Sequence, residues 1–363
     1  MRREFFSTAL IVAGVLISGC GGSQDVAGTT MLTTAEDPAP SAAENTKTLY
    51  AGEPSSSYPR PLRVCLDGEM TAANIAIYTA SKKGYFADVG LTVDTGIPVL
   101  PRRPVPYVSV YTNDIAVTQQ PQVALGKEKG APIVAVGSLI SQPTAAMIWL
   151  KRSGIRRIAD LRNKTIAVPG IPYQEGMLET ILERSGIDPG DVRVKRVGYR
   201  LAPALLEGEA DAIFGGSWNI EGIALRERGE KPVIKRVQEL GVPSYDEDVI
   251  ITRADRAARE PRVVRKFMSA LARGVAAVRR NPEFALKLIE SSPHEFETSK
   301  KEQYAQVRAT LPLLSSTGRL DPDQTGKLLT WMHKQGMIQR EPPFSQLFTN
   351  QYLTHDQPRS AGG

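Results

Sequence analysis

From Pro61 onward the chain alternates short runs of β-branched and apolar residues with helical runs that stop at glycine. The spacing predicts strands over Leu62–Leu66, Leu91–Ile97, Asp114–Thr118 and Ile133–Ile140. It predicts a helix over Ala72–Lys83 closed by Gly84, and another over Pro121–Lys129 closed by Gly130. Pro98–Pro106, crowded with proline and arginine, reads as a loop. A strand followed by a helix and another strand returns to the same sheet in the same direction. The pattern therefore predicts a parallel sheet covered by helices.

A second set of the same kind follows. Ala145–Leu150, Thr165–Val168, Val192–Val197, Ala212–Phe214 and Val249–Thr252 read as strands. Ile158–Arg162, Tyr173–Ser185, Ala202–Glu209 and Asn219–Arg228 read as helices, two of them closed by Gly186 and Gly229. The rest reads as helix: Arg262–Arg280, Pro282–Glu290, Ser299–Thr310 and Pro322–Gln335. Two α/β units in one chain predict two lobes with a cleft between them. No internal repeat of solenoid length is present.

The first residues point to a compartment. Arg2 and Arg3 precede an apolar run from Phe5 to about Ile17, which is too short to span a bilayer and has the length of a signal-peptide core. Ile17-Ser18-Gly19-Cys20 then resembles a bacterial lipobox, with Cys20 as the acylated first residue of the mature chain. An ordinary secretory signal with an incidental cysteine is the alternative. Residues 21–60 are rich in Gly, Ser, Thr, Ala and Pro with scattered acids, and read as a disordered tether. Segments 1–19 and 20–60 are thus signal and leash. The body divides into one lobe of residues 61–145 with 250–363 and a second of residues 146–249.

Composition excludes several classes. The chain has 363 residues, 41% hydrophobic and 23% charged, which rules out a mainly disordered polymer. A net charge of +6 over this length is weak support for nucleic-acid binding, and none is expected. Two cysteines and three histidines show no metal-ligand spacing, so neither metal nor cofactor is expected. Once Cys20 is acylated, Cys65 is the remaining thiol, and its apolar neighbours make it a core residue.

In open α/β sheets ligands bind beyond the carboxyl ends of strands. Asp67 and Glu69 sit there after the first strand, where a carboxylate accepts from a ring N–H or an amine; each also suits a turn or helix cap. Asn74 offers an amide or a cap. Gln119 and Gln120, before Pro121, can donate and accept at once, or face solvent. Pro169-Gly170-Ile171-Pro172-Tyr173 joins strand to helix: Gly170 allows close backbone approach, and Tyr173 can stack on a flat ligand. Trp218 and Asn219 follow Gly215-Gly216, which places Trp218 as a stacking wall, a hinge plug or a core residue. Glu221 lies in the first turn of the following helix, where a carboxylate suits the dipole in any case. Tyr245 precedes a strand and is positioned to close the cleft. No catalytic residue is assigned. The basic run Arg253, Arg256, Arg259, Arg262, Arg265, Lys266 reads as a solvated helix face, or as a surface for a transporter or anionic headgroups.

Four stretches carry a resemblance to the substrate-binding proteins of bacterial ABC importers, in the superfamily of sulfonate, nitrate, riboflavin and thiamine-pyrimidine-precursor binders. They are Leu66-Asp67 with Asn74–Tyr78, Lys83–Phe86 and Gly90–Val93; Gln120-Pro121 with Ile133–Val136; Ile158–Val168; and Gly215–Gly222 with Leu240–Tyr245. The last is similar to the thiamine-precursor branch. The resemblance implies an α/β fold of the type II periplasmic-binding-protein class, two lobes joined by a two-crossing hinge near 141–150 and 245–253. It implies an extracytoplasmic, lipid-anchored monomer that delivers a small flat nitrogenous ring to a permease and its ATPase. A sulfonate or nitrate binder of the same fold is the alternative, and a pyrimidine synthase a further one. The branch's opening Trp, Pro, Asn and His positions hold Gly68, Met70, Thr71 and Asn74. The synthases of the superfamily consume that His and need a cysteine-rich loop, which this chain lacks, so the resemblance implies binding without catalysis.

Overall fold

The computed structural model describes residues 60–66, 71–95, 104–291 and 299–353. Its strands are β1 (Leu62–Cys65), β2 (Val93–Asp94), β3 (Ile115–Thr118), β4 (Ile133–Ile140), β5 (Ala145–Leu150), β6 (Thr165–Val168), β7 (Arg193–Arg196), β8 (Ala212–Ser217), β9 (Pro232–Arg236) and β10 (Asp248–Arg253). The helices of the first half are α1 (Ile75–Lys82), α2 (Tyr85–Asp88), α3 (Pro104–Ser109), α4 (Gln120–Glu128), α5 (Pro172–Arg184), α6 (Leu201–Leu206) and α7 (Glu221–Glu227). Those of the second half are α8 (Ala254–Arg259), α9 (Pro261–Arg280), α10 (Pro282–Glu290), α11 (Lys300–Thr310), α12 (Pro322–Lys334) and α13 (Phe344–Leu347).

They form two five-stranded sheets, ordered β2-β1-β3-β10-β4 and β7-β6-β8-β5-β9. Neither is purely parallel, which corrects the sequence expectation. β10 runs antiparallel to both β3 and β4, and β5 runs antiparallel to both β8 and β9. The reason is connectivity. β5 and β10 are each reached by crossing from the other sheet rather than by a helical return within one sheet. β9 was not expected from sequence. It opens on Pro232 and lies at a sheet edge, where a residue without an N–H is tolerated. The prolines 104 and 106 also misled: they fall in the first turn of α3, whose N–H groups need no helical partner. β2 is shorter than expected, and α1 begins three residues later.

The chain leaves the first sheet at Ile140, starts the second at Ala145, and returns between Arg236 and Asp248. Register fixes what this does. Asp248 pairs with Ile140 and Val249 with Thr118, so the start of β10 lies beside the carboxyl ends of β3 and β4. Ala145 pairs with Ser217 and Ala146 with Arg236, so the start of β5 lies beside the carboxyl ends of β8 and β9. Both crossings thus join the carboxyl edges of the two sheets, and those edges face each other.

The largest apolar cluster continues from one sheet to the other. It holds Ile133, Val249 and Met332 with Tyr173, Met177, Trp149 and Phe214, all nearly inaccessible. Gly176 on α5 is the close contact here, since a Cβ added to it would lie 3.1 Å from the Met337 Cε. Two further clusters cover the outer faces. Under the first sheet, α1 crosses α9 at Gly274, where an added Cβ would lie 2.3 Å from the Ala76 carbonyl oxygen. Among the described residues no helix is long and apolar enough to cross a membrane.

Candidate functional site

The facing carboxyl edges carry a concentration of buried polar side chains. Ser138, Thr144, Gln119, Gln120, Gln174, Asn219, Asp246, Glu247 and Asp248 are all less than a tenth exposed. Burying such groups is unfavourable unless each finds a partner. Many do, and the partners bind the two crossings together. The Thr144 N–H donates to Glu247 Oε2 at 2.6 Å, and its hydroxyl meets the Ser217 hydroxyl at 3.0 Å. The Trp218 N–H donates to the Thr144 carbonyl at 2.9 Å. The Ser217 N–H donates to Glu221 Oε2 at 2.6 Å, so Glu221 closes the turn between β8 and α7.

Gln120 braces the second crossing. Its Oε1 accepts from the Asp246 N–H at 2.9 Å and its Nε2 donates to the Thr325 hydroxyl at 2.8 Å. The expected ligand amide is therefore taken up at both ends by the protein. Gln119 is the N-cap of α4, and its Oε1 accepts from the Gln122 side chain at 2.8 Å. The Asn74 Oδ1 accepts from the Thr71 N–H at 2.9 Å, closing the turn that leads to α1. Asp67 and Glu69, like Cys20, lie outside the described residues.

Tyr173 and Tyr245 are buried together. Burial, then the neighbouring Glu247 carboxylate and the Tyr173 hydroxyl, push the Tyr245 hydroxyl well above its ordinary range. The Tyr173 hydroxyl accepts from Gln174 Nε2 at 3.3 Å. The same nitrogen donates to the Gly215 carbonyl, also at 3.3 Å. Gly215 is the extra residue of a bulge, because Ala146 pairs with Gly216 and Met147 with Phe214. Its φ of 85° and the 2.3 Å separation between an added Cβ and Gln174 Oε1 both demand glycine. Gly170, at φ 84°, sits exposed in the connection from β6 to α5.

Trp218 is half-buried between two apolar clusters, and the Arg236 guanidinium lies over its ring at 3.9 Å. One face of the expected stacking wall is thus occupied by protein. Asn219 reaches across to α11, where its Nδ2 donates to the Thr310 hydroxyl at 2.8 Å. That hydroxyl gives its own proton to the Gln306 carbonyl at 2.8 Å, so the amide orientation is fixed.

What remains is a set of buried polar atoms with no hydrogen-bond partner among the described residues. On these two edges and the second crossing they are Thr118 Oγ1, Gln174 Oε1, Trp218 Nε1, Asn219 Oδ1, Gln238 Oε1, the Tyr245 hydroxyl and Asp246 Oδ2. The Asp246 Oδ1 accepts from the Ser138 hydroxyl at 2.5 Å, but no cation among the described residues pairs with this carboxylate. Burial, opposed by that hydrogen bond and reinforced by the Asp321 charge, raises it to about 6. Acceptors outnumber donors in this set. The arrangement suits a group that supplies N–H bonds.

Gln174, Thr144, Asp246 and Glu247 escaped the sequence reading. The run Asp246-Glu247-Asp248 directly before an apolar strand was the available signal, since three acids at a strand start are placed at a sheet edge. Gln174 had none, being one of several polar residues on an amphipathic helix.

Comparison with known proteins supplies a frame. The family described as NMT1/THI5 like matches residues 72–285. The formylaminopyrimidine-binding protein of Halalkalibacterium halodurans is 31% identical over 234 residues, covering 64% of this chain and 71% of the relative. The 4-amino-5-hydroxymethyl-2-methylpyrimidine phosphate synthase of Legionella pneumophila is 24% identical, covering 76% of this chain and 87% of the relative. In fold, the alkanesulfonate-binding protein of Xanthomonas axonopodis pv. citri bound to MOPS superposes with a TM-score of 0.62 at 16% identity, covering 81% of this chain and 99% of that one. The periplasmic-binding-protein fold expected from sequence is the one found.

Proposed function

The chain belongs to the NMT1/THI5-like family, and from that premise we propose that it is the lipid-anchored, extracytoplasmic solute-binding protein of an ABC importer. Its ligand is a small flat aminopyrimidine-like ring. One lobe comprises residues 61–145 and 250–363, the other 146–249, and they close on the ligand by motion at the two crossings. The closed form is what a permease and its ATPase would read.

The observation that carries this reading is the set of unpartnered buried acceptors at the facing edges: Gln174 Oε1, Asn219 Oδ1 and Asp246 Oδ2. A ring bearing amino groups satisfies them, and its ring nitrogen is a partner for the indole Nε1–H of Trp218. A sulfonate would offer acceptors to the Trp218 indole N–H and the hydroxyls but none of the donors that Gln174 Oε1, Asn219 Oδ1 and Asp246 Oδ2 lack. The Arg236 guanidinium, a natural partner for an anion, already lies on Trp218. The anion-binding alternative has less support for that reason.

Binding without chemistry is supported by Asn74 at the position where the resemblance to the synthases calls for a reactive His. Its amide oxygen is held by the Thr71 N–H. The described residues contain a single cysteine, Cys65, buried in β1. Mass spectrometry of what the purified full chain carries tests the reading. An aminopyrimidine is expected, released unchanged; a bound alkanesulfonate, or formation of a pyrimidine product when the chain is incubated with pyridoxal phosphate and iron, contradicts it. Fractionation tests the anchor separately. Cys20→Ala should move the protein out of the membrane fraction, and an unchanged distribution would remove Cys20 as the attachment point.

A further inference from the structure

The longest helix has an unusual charge pattern. α9 spans Pro261–Arg280 and contains six basic residues and no acid. At 3.6 residues per turn, Arg262, Arg265, Lys266, Arg273 and Arg280 fall within an arc of about 100°. All five are exposed, while the opposite stripe, Val264, Phe267, Leu271, Val275 and Val278, is buried in the core under the first sheet. Arg273 is paired with Asp88 at 2.6 Å. Arg262, Lys266 and Arg280 have no carboxylate partner among the described residues, and Arg265 only approaches the Tyr352 ring at 5.9 Å. A helix of this length presents a basic ridge of about 30 Å.

A second, independent feature places this ridge. The described body begins at Arg60, whose guanidinium clasps the buried Asp114 carboxylate at 2.7 and 2.8 Å. The same carboxylate holds Arg256 of α8 at 2.8 Å, and α8 leads directly into α9. The residues that carry the acylation motif therefore join the body beside the amino end of the basic ridge. Neighbouring acids do not cancel it. Asp255 is paired with Arg253 and Arg259, Glu260 with Arg256, and Glu290 with Lys300.

We infer that the outer face of α9 docks on an anionic membrane surface, with lipid phosphate headgroups as its partner. The lipid anchor of the preceding section sets the orientation, but the electrostatic attraction does not require it. Lying on α9, the body would hold the membrane close to the junction at Arg60. Each basic residue near an anionic surface adds about 1 kcal/mol, roughly fivefold in partitioning.

The test is flotation of the full chain with vesicles of phosphatidylcholine alone and of phosphatidylcholine mixed with phosphatidylglycerol. Any contribution from the apolar run near the N-terminus appears equally in both, so the ratio isolates charge. The mixed vesicles should bind more tightly, and high salt should abolish the excess. The triple variant Arg262→Gln, Arg265→Gln, Lys266→Gln should lower the excess roughly 100-fold, at about fivefold per charge. A control with the same charge change elsewhere, Arg319→Gln, Lys327→Gln, Lys334→Gln, should retain it. Equal loss in both triples means diffuse net charge and overturns the proposal. Unchanged vesicle binding in the α9 triple also overturns it, and if transport is then lost, the ridge belongs to a protein partner instead. Should the α9 triple fail to fold, the wild-type ratio decides: no preference for phosphatidylglycerol at low salt ends the idea. Failure of Cys20→Ala to leave the membrane bears on the anchor and not on this ratio.

Discussion

Two buried aspartates sit at opposite edges of the first sheet and meet opposite fates. Asp114, before β3 at the amino edge, accepts from Arg60 at both oxygens, from the Arg63 N–H and from Arg256. Although burial alone would raise it, these partners hold its carboxyl below the ordinary range. Asp246, before β10 at the carboxyl edge, has one hydroxyl donor and is raised to about 6. The residue type and the burial are the same. What differs is saturation. The amino edge is finished by its own side chains and serves to hold the chain together, whereas the carboxyl edge is left short of donors. Incomplete satisfaction of buried polar groups is tolerated where something else completes them.

The largest effect is expected from breaking the finished edge. Asp114→Asn leaves Arg60 and Arg256 without their shared counter-charge and should cost about 3 kcal/mol of stability at neutral pH, read as a drop in denaturant midpoint. The wild-type contribution has a definite pH window. Because the folded value lies below the unfolded one, the stabilisation is present above about pH 4 and fades as acid protonates Asp114. An Asp114→Asn variant as stable as wild type at pH 7 would show the clasp to be ornamental.

Asp246 carries the opposite sign. Its folded value of about 6 exceeds the ordinary 3.8, so the folded state binds more protons than the unfolded chain between these values. Stability should decline as pH rises from 4 to 6 and level off above, by at most about 3 kcal/mol for a shift of this size. Asp246→Asn, which cannot ionise, should flatten that part of the profile. A slope that survives the substitution must come from other groups.

Legibility from sequence followed the same division. The β4 and β5 boundaries coincide with the apolar runs Ile133–Ile140 and Ala145–Leu150, because each strand is buried along almost its whole length, β4 even though it lies at a sheet edge. The α9 stripe was equally readable, since one helix face is packed and the other charged. Strand direction was not readable. It depends on which sheet the chain crosses into at 141–144, and a local pattern contains no record of that. Trp218, Asn219, Tyr173 and Tyr245 could be placed near these edges from sequence because strand ends and glycines mark the turns there. The partners of Gln120 were not readable: its amide bonds to the Asp246 N–H and the Thr325 hydroxyl, 126 and 205 residues distant in sequence. Gln174 became visible only once the Gly215 bulge brought a carbonyl to its amide.

The smallest effect sharpens the unfinished edge. Gln174→Met keeps the side chain's size and removes the unpartnered acceptor. It should weaken pyrimidine binding about five- to tenfold, the worth of one hydrogen bond to a buried group, measured by isothermal titration. Its thermal midpoint should also fall by a few degrees, because the Nε2 bonds to the Tyr173 hydroxyl and the Gly215 carbonyl go with the amide, so affinity is read well below the midpoint. Unaltered affinity would take Gln174 out of the site.

The most direct measurement is hydrogen exchange of the full chain with and without added formylaminopyrimidine. If the ligand completes the carboxyl edges, protection should rise at residues 141–144, 170–174, 215–219 and 245–248 together, while 110–115 at the amino edge stays unchanged. Protection confined to the amino edge or to the α9 surface, or no change at saturating ligand, would contradict a binding site between the two sheets.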